Sequence, residues 1–259
     1  MLQPAKPRVV HIHIPKTAGT ALRLAFEKKF QPAGLKVAPH LTEENAQAHM
    51  PEDYAFFSGH IGYPTAQRIG GRILTVLRNP VDRIVSTYYF WRELYAKGIE
   101  RAVKNRLAAQ YSLEQFLSIT DEPQLFEEFA NRMTWQLTHG SSLGQRRAAR
   151  EAGVTDDALL AAAMANLDSF AVVGIQENMG QFLADLKATF DVDLPLERAN
   201  VTEERADLAE LPASVFRAAY EWAYLDIQLY MYACGPYQAQ AKARAEKAAA
   251  EDPFASIPI

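Results

Sequence analysis

HIPKTAGT, residues 13–20, follows directly on the run Val9-Val10-His11-Ile12, and how it is read decides the fold. A short β-branched run that ends in a glycine-containing, lysine-bearing loop is how a strand hands over to a phosphate-binding helix. The order departs from the common nucleotide-binding loop, in which the second glycine precedes the lysine and serine or threonine follows it. Here Lys16 comes first and Gly19 three residues later. From Gly19 to Phe30 the apolar residues Leu22, Ala25, Phe26 and Phe30 recur at helical spacing, which predicts a β–loop–α unit. A phosphate or sulfate at that turn would meet the N–H groups of Ala18, Gly19 and Thr20 at a helix N-terminus, where the dipole favours negative charge. Lys16 adds a mobile positive charge, Thr17 and Thr20 add hydroxyls, and Gly19 lets the backbone come close to the ligand. The competing reading is an ordinary strand-to-helix turn with a solvated lysine.

Outward from this unit the pattern repeats. Arg8–Ile14, Tyr54–Phe57, Arg72–Leu77 and Phe170–Ile175 read as strands. After Leu77 comes a strong helix signal: Asn79 suits the N-cap, Pro80 the first helical position, and Val81, Ile84, Val85, Tyr88 and Tyr89 form one face. Residues 113–137, 156–167, 178–190 and 212–232 read as further helices. Strands alternating with helices predict an α/β fold, a mostly parallel sheet covered on both faces. Residues 1–237 are expected to form one domain. Residues 238–259 form an Ala/Lys/Glu-rich tail with no apolar face to dock, expected to be a projecting helix or disordered.

Composition narrows the functions. The formal net charge of −4 gives no electrostatic footprint for general nucleic-acid binding, so an acidic ligand must be met by local basic groups. With 1 cysteine, Cys234, no intrachain disulfide can form. The opening MLQPAKPRVV lacks an apolar signal region and no run of about 18 apolar residues occurs, so no membrane span and a cytoplasmic home are expected.

Two more segments carry chemistry. Arg78 stands where a strand ends, and Ser86 lies eight positions later, about two turns into the following helix. Together they would make a second anion clamp, so the ligand would carry two separated phosphates. The plainer readings are a salt-bridging arginine and a small packing serine, and Asp82 and Arg83 are assigned to neighbour pairing or capping. Between the clamps, FFSGHIGY (residues 56–63) places His60 just after a strand, at the sheet edge where ligand crevices form. Histidine is the side chain best matched to proton abstraction near neutral pH.

PKTAGT (15–20), GHIGY (59–63) and RNPVDRIVSTYYF (78–90), in that order, resemble the sulfotransferase family 2 type, relatives of the heparan sulfate 2-O- and uronyl sulfotransferases. The resemblance implies a P-loop-like three-layer α/β/α fold and a soluble, bacterial member without anchor or stem. It also implies the sulfuryl donor 3′-phosphoadenosine-5′-phosphosulfate (PAPS), with adenosine 3′,5′-bisphosphate (PAP) as product. On this basis Lys16, Thr17, Ala18, Gly19, Thr20 and Ala21 would bind the 5′-phosphosulfate, and Arg78 and Ser86 the 3′-phosphate. His60 would be the base, and Lys16 would meet charge on the leaving oxygen.

The transferred group carries less charge than a phosphoryl group, so no metal ligand is assigned and none is demanded. A P-loop kinase would need Mg²⁺ and a carboxylate at the end of a second strand, where this chain has Arg78. A non-catalytic PAP-binding module is the other alternative, and it sits poorly with Lys16, His60, Arg78 and Ser86 all being in place. The acceptor is expected to be a glycan or other small hydroxylated molecule. Residues 91–150 are expected to wall it, with aromatic Trp91, Tyr95, Tyr111 and Trp135 and basic Arg101, Lys104, Arg106, Arg146 and Arg147. The plainer reading there puts Trp135 in the core and Arg146, Arg147 and Arg150 on a solvated helix face.

Overall fold

The computed structural model describes residues 8–49, 54–140, 142–194 and 206–235, so the expected tail lies outside the described residues. Strands β1 (Val9–Ile12), β2 (Leu41–Thr42), β3 (Phe56–His60), β4 (Arg72–Leu77) and β5 (Val172–Ile175) form a parallel sheet in the order β2-β3-β1-β4-β5. The helices are α1 (Gly19–Phe30), α2 (Ala46–His49), α3 (Tyr63–Ile69), α4 (Pro80–Ala96), α5 (Val103–Gln110) and α6 (Leu113–Leu117). They continue with α7 (Pro123–Phe129), α8 (Arg132–Gln136), α9 (Leu143–Glu151), α10 (Asp156–Ser169), α11 (Met179–Phe190) and α12 (Ala213–Cys234).

Alternation along the strands separates two cores. Val9, Phe56, Leu74, Val76 and Val172 pack with Leu22 and Phe26 of α1 and Phe182 of α11. Val10, Ile12, Phe57, Leu77 and Val173 pack on the other face with residues of α3, α8, α10 and α12. The result is a three-layer α/β/α arrangement, as expected for strands buried on both faces. Because all strands run the same way, Lys16, His60 and Arg78 leave the sheet at its one C-terminal edge, with the order reversing around β1. Among the described residues, no helix is long and apolar enough to cross a membrane.

The structure corrects three expectations. β3 begins two residues and ends three residues later than read, so His60 is the last residue of a strand rather than lying beyond it. The two-residue β2 carries too little pattern to be seen in sequence, and it reaches β3 only because residue 59 is glycine. A Cβ there would lie 2.0 Å from the Leu41 carbonyl oxygen.

The third correction concerns residues 113–137, expected as one helical stretch. They form α6, α7 and α8, broken before Pro123 and at Asn131, which is left-handed (φ 49°). The second break is matched by one in α12, where Ala223 leaves helical geometry. The two breaks satisfy each other. Asn131 N donates to Trp222 O (2.9 Å), and Asn131 Oδ1 accepts from Leu225 N (2.8 Å). In return, buried Asp226 accepts from Met133 N (3.0 Å), Thr134 N (2.8 Å) and the Thr134 hydroxyl (2.7 Å), capping α8. Burial raises the Asp226 pKa, while Arg83 and these donors pull the other way. Replacing Asp226 with Ala leaves buried donors unmet and should lower stability by roughly 3 kcal/mol. Urea unfolding of Asp226→Ala and Asp226→Asn checks this; a loss within error in both would remove the lock from the account.

Candidate active site

The β1–α1 loop is built under strain. Lys16 (φ 65°) and Ala18 (φ 64°) are both left-handed, a state costing an ordinary residue about 1–2 kcal/mol. Three interactions hold it: the buried Thr17 hydroxyl donates to Ile14 O (2.8 Å), Leu22 N to Ala18 O (3.1 Å), and Arg78 Nη1 to Lys16 O (2.9 Å). The Thr17 hydroxyl is thus spent on the loop, leaving that residue its backbone N–H for a ligand, whereas Thr20 is exposed.

The two helix starts at this edge differ. At α1, the N-cap Ala18 supplies no side-chain hydrogen bond and the first turn holds no acidic residue. At α4, Asn79 Oδ1 accepts from Val81 N (3.0 Å) and Asp82 N (3.2 Å), Asp82 sits in the first turn, and Glu177 Oε1 accepts from Asn79 N (2.9 Å). A cavity of about 400 Å³ beside it is lined by Asp82, Glu177 and Asp207. Of the two helix starts, that of α1 is the one left without a side-chain cap or a first-turn acid.

Arg78 is buried, with its Nε (2.7 Å) and Nη2 (2.6 Å) on Asp82 Oδ2. With its bond to the Lys16 carbonyl, it joins the first motif to the third. Ser86, also buried, lies one turn beyond Asp82 on the same helix.

Lys16 and His60 line one cleft of about 410 Å³, with Phe90, Trp91, Lys104, Glu128 and Arg132 on its walls; Arg78 and Ser86 are not among its lining residues. Lys16 Nζ sits 3.9 Å from the Phe90 ring centroid. Burial first, then the charges of His40 and Arg132, push the His60 pKa down to about 4, against a smaller opposing effect of Glu128. The imidazole is therefore neutral at pH 7 and has a lone pair to accept a proton. Glu128 would itself be pushed up by burial, but Arg132 and Arg83 hold it below the usual carboxylate range. Arg83, completely buried, donates to Glu128 Oε1 (2.6 Å) and to its carbonyl (2.7 Å). Gln136 ties α8 to the site through His13 O and Ile61 O, both at 3.0 Å.

Part of segment 91–150 borders the cleft, through Trp91, Glu100, Lys104, Glu127, Glu128, Arg132 and Ser142. Others named from sequence do not. Trp135 is core, packed with Ala149, Leu159 and Leu225, as the plainer reading had it. Arg101 lies on the Tyr95 ring, and exposed Tyr111 gives its carbonyl to the Tyr88 hydroxyl. Arg146 corrects the solvated-face reading. It is buried and donates to the carbonyls of Phe126, Glu127 and Ala130, closing the last turn of α7, while Arg147 and Arg150 are exposed.

Residues 10–144, which contain all three motifs, match the sulfotransferase domain. The chain belongs to the sulfotransferase family. Comparison with curated proteins gives no match. Among solved structures, the chain is similar to mouse sulfotransferase SULT7A1 complexed with PAP, at 14% identity and a TM-score of 0.40. The match covers 74% of this chain and 62% of that one, so the chain spans less than two thirds of the mouse protein's length.

Sequence reasoning missed His13 and His40, whose rings meet that of His60 at centroid distances of 4.7 Å each. It also gave Gly19 a purpose other than the one the structure shows. A Cβ at residue 19 would lie 1.9 Å from the His13 ring, so glycine is needed there to seat an imidazole beneath the helix start. Gly19→Ala should therefore displace His13 and lower the melting temperature. Its nuclear magnetic resonance spectrum should show shifted His13 and His60 ring signals; unchanged ring signals would refute the packing argument.

Proposed function

We propose that the protein is a PAPS-dependent sulfotransferase that moves a sulfuryl group to a hydroxyl of a carbohydrate or other small hydroxylated acceptor. One observation carries the reading: an uncapped helix start behind Lys16 opens at the same sheet edge as a neutral His60, and Lys16 and His60 share a cleft. Family membership supports it, and the three ordered motifs support the finer kinship with the family 2 type.

The donor supplies an activated sulfuryl group. The acceptor oxygen forms a bond to sulfur as the bond from sulfur to the 5′-phosphate oxygen breaks, and PAP departs. His60 takes the acceptor proton. Lys16 meets the charge growing on the departing oxygen, and the N–H groups of residues 17–21 hold the 5′-phosphate in place. Arg78 serves a 3′-phosphate by sharing its guanidinium between that ligand, Asp82 and the Lys16 carbonyl. Ser86 adds its hydroxyl from the next turn. No step needs a metal.

The cleft also bears on the acceptor. Glu43, Glu44, Glu100, Glu127 and Glu128 outnumber Lys16, Lys104 and Arg132 along its walls. A highly sulfated polymer would meet net negative charge, whereas a neutral glycan could hydrogen-bond to the charged rim.

Sulfur-35-labelled PAPS offered with pooled glycans, glycolipids, phenols and cell extract should label a hydroxyl of a small acceptor, read by mass spectrometry. His60→Ala should lower turnover on the order of a hundredfold or more while PAP binding stays nearly intact. Arg78→Ala should weaken PAP binding by about 1.5–3 kcal/mol. Equal loss of PAP binding in both variants would refute the assignment of His60, and labelling only of amines would refute the hydroxyl acceptor.

A further inference from the structure

His60 is one of three imidazoles set close together by the sheet. His13 follows β1, His40 directly precedes β2 and His60 ends β3, so three neighbouring strands in the order β2-β3-β1 bring the three rings together. One nitrogen from each lies within 4.8 Å of the others. The ring centroids of His13 and His40 are 5.9 Å apart, and each stands 4.7 Å from His60.

Packing alone does not account for the cluster. His13 Nδ1 is buried with no hydrogen-bond partner among the described residues, an arrangement that leaves a polar atom unmet. Gly19 pins the His13 ring where it is, while His60 lines the cleft, where Thr42 and Glu44 also lie. Three converging nitrogen donors and one unmet buried nitrogen are what a borderline metal ion needs. Imidazole donors suit zinc, copper, nickel or iron, whereas magnesium and calcium take oxygen ligands.

We propose that His13, His40 and His60 bind one divalent transition-metal ion of the zinc class, and that this ion switches the transferase off by taking up His60. Zinc–nitrogen bonds near 2.0–2.1 Å require ligand nitrogens about 3.4 Å apart in a tetrahedral site. His40 and His60 reach that spacing by side-chain rotation toward the pinned His13. An imidazole nitrogen that ligates the ion has no lone pair left for the acceptor proton. Metal binding thus stands on the geometry of the cluster, while its inhibitory effect rests on the reading of His60 as the base.

The test uses the full chain after chelator treatment. Cobalt(II) is the spectroscopic probe, expected to give visible d–d bands that saturate at one ion per chain and vanish on adding zinc. His40→Gln should keep its far-ultraviolet circular dichroism. It should weaken zinc binding by at least the roughly 10–100-fold that loss of a mere outer-shell partner costs. Micromolar zinc should suppress sulfuryl transfer by the unaltered chain, chelator should restore it, and His40→Gln should resist the zinc. No saturable one-to-one cobalt spectrum, or equal zinc affinity in the folded variant, overturns the site. Zinc binding through these histidines with transfer unchanged overturns the inhibition. The spectrum is read without any activity, so an absence of transferase activity leaves the metal site to be judged separately.

Discussion

The buried guanidinium of Arg78 is the constraint on which the site depends. It holds the Lys16 carbonyl with one nitrogen and Asp82 with two others, joining the loop after β1 to the helix after β4. Two left-handed, non-glycine residues within three positions would relax without such support, and a charge-assisted hydrogen bond to a carbonyl is of the right size to offset the strain. Held this way, the loop leaves the first N–H groups of α1 without a side-chain cap and sets the Lys16 ammonium over Phe90, inside the cleft. The proposed anion site is thus made by backbone geometry before any ligand arrives.

A second constraint fixes the opposite wall. The break in α12 at Ala223 and the start of α8 complete each other through Asn131 and Asp226. From that anchor α8 directs Arg132 into the cleft and Gln136 onto the carbonyls of His13 and Ile61. The charges around His60 are consequently not a solvated mixture. Burial, with the charges of His40 and Arg132, keeps the imidazole neutral against the opposing effect of Glu128.

Much of this was legible in sequence because the signals were local. The strand–loop–helix after Val9, the Asn79-Pro80 helix start and the four longer strands all announce themselves within a few residues. His60 was read as a candidate base from its place after a strand and a glycine. What escaped is non-local. Leu41–Thr42 is a strand only because Gly59 admits its backbone. The breaks within 113–137 exist because Asp226, over ninety residues away, caps one of them. Arg146 reads as one of a basic run, yet its role depends on carbonyls of another helix. His13 and His40 carry no signal of their own, since their meeting with His60 follows from strand order.

The central claim is that the loop at Lys16 receives the 5′ end of the donor facing His60. A crystal structure of the full chain with PAP tests it most directly. The account predicts the 5′-phosphate at hydrogen-bond distance from backbone N–H groups of residues 17–21 and from Lys16 Nζ, with its outward oxygen turned to the His60 cleft. A PAP molecule bound at the α4 start beside Asp82 and Glu177, with the Lys16 loop untouched, would contradict it.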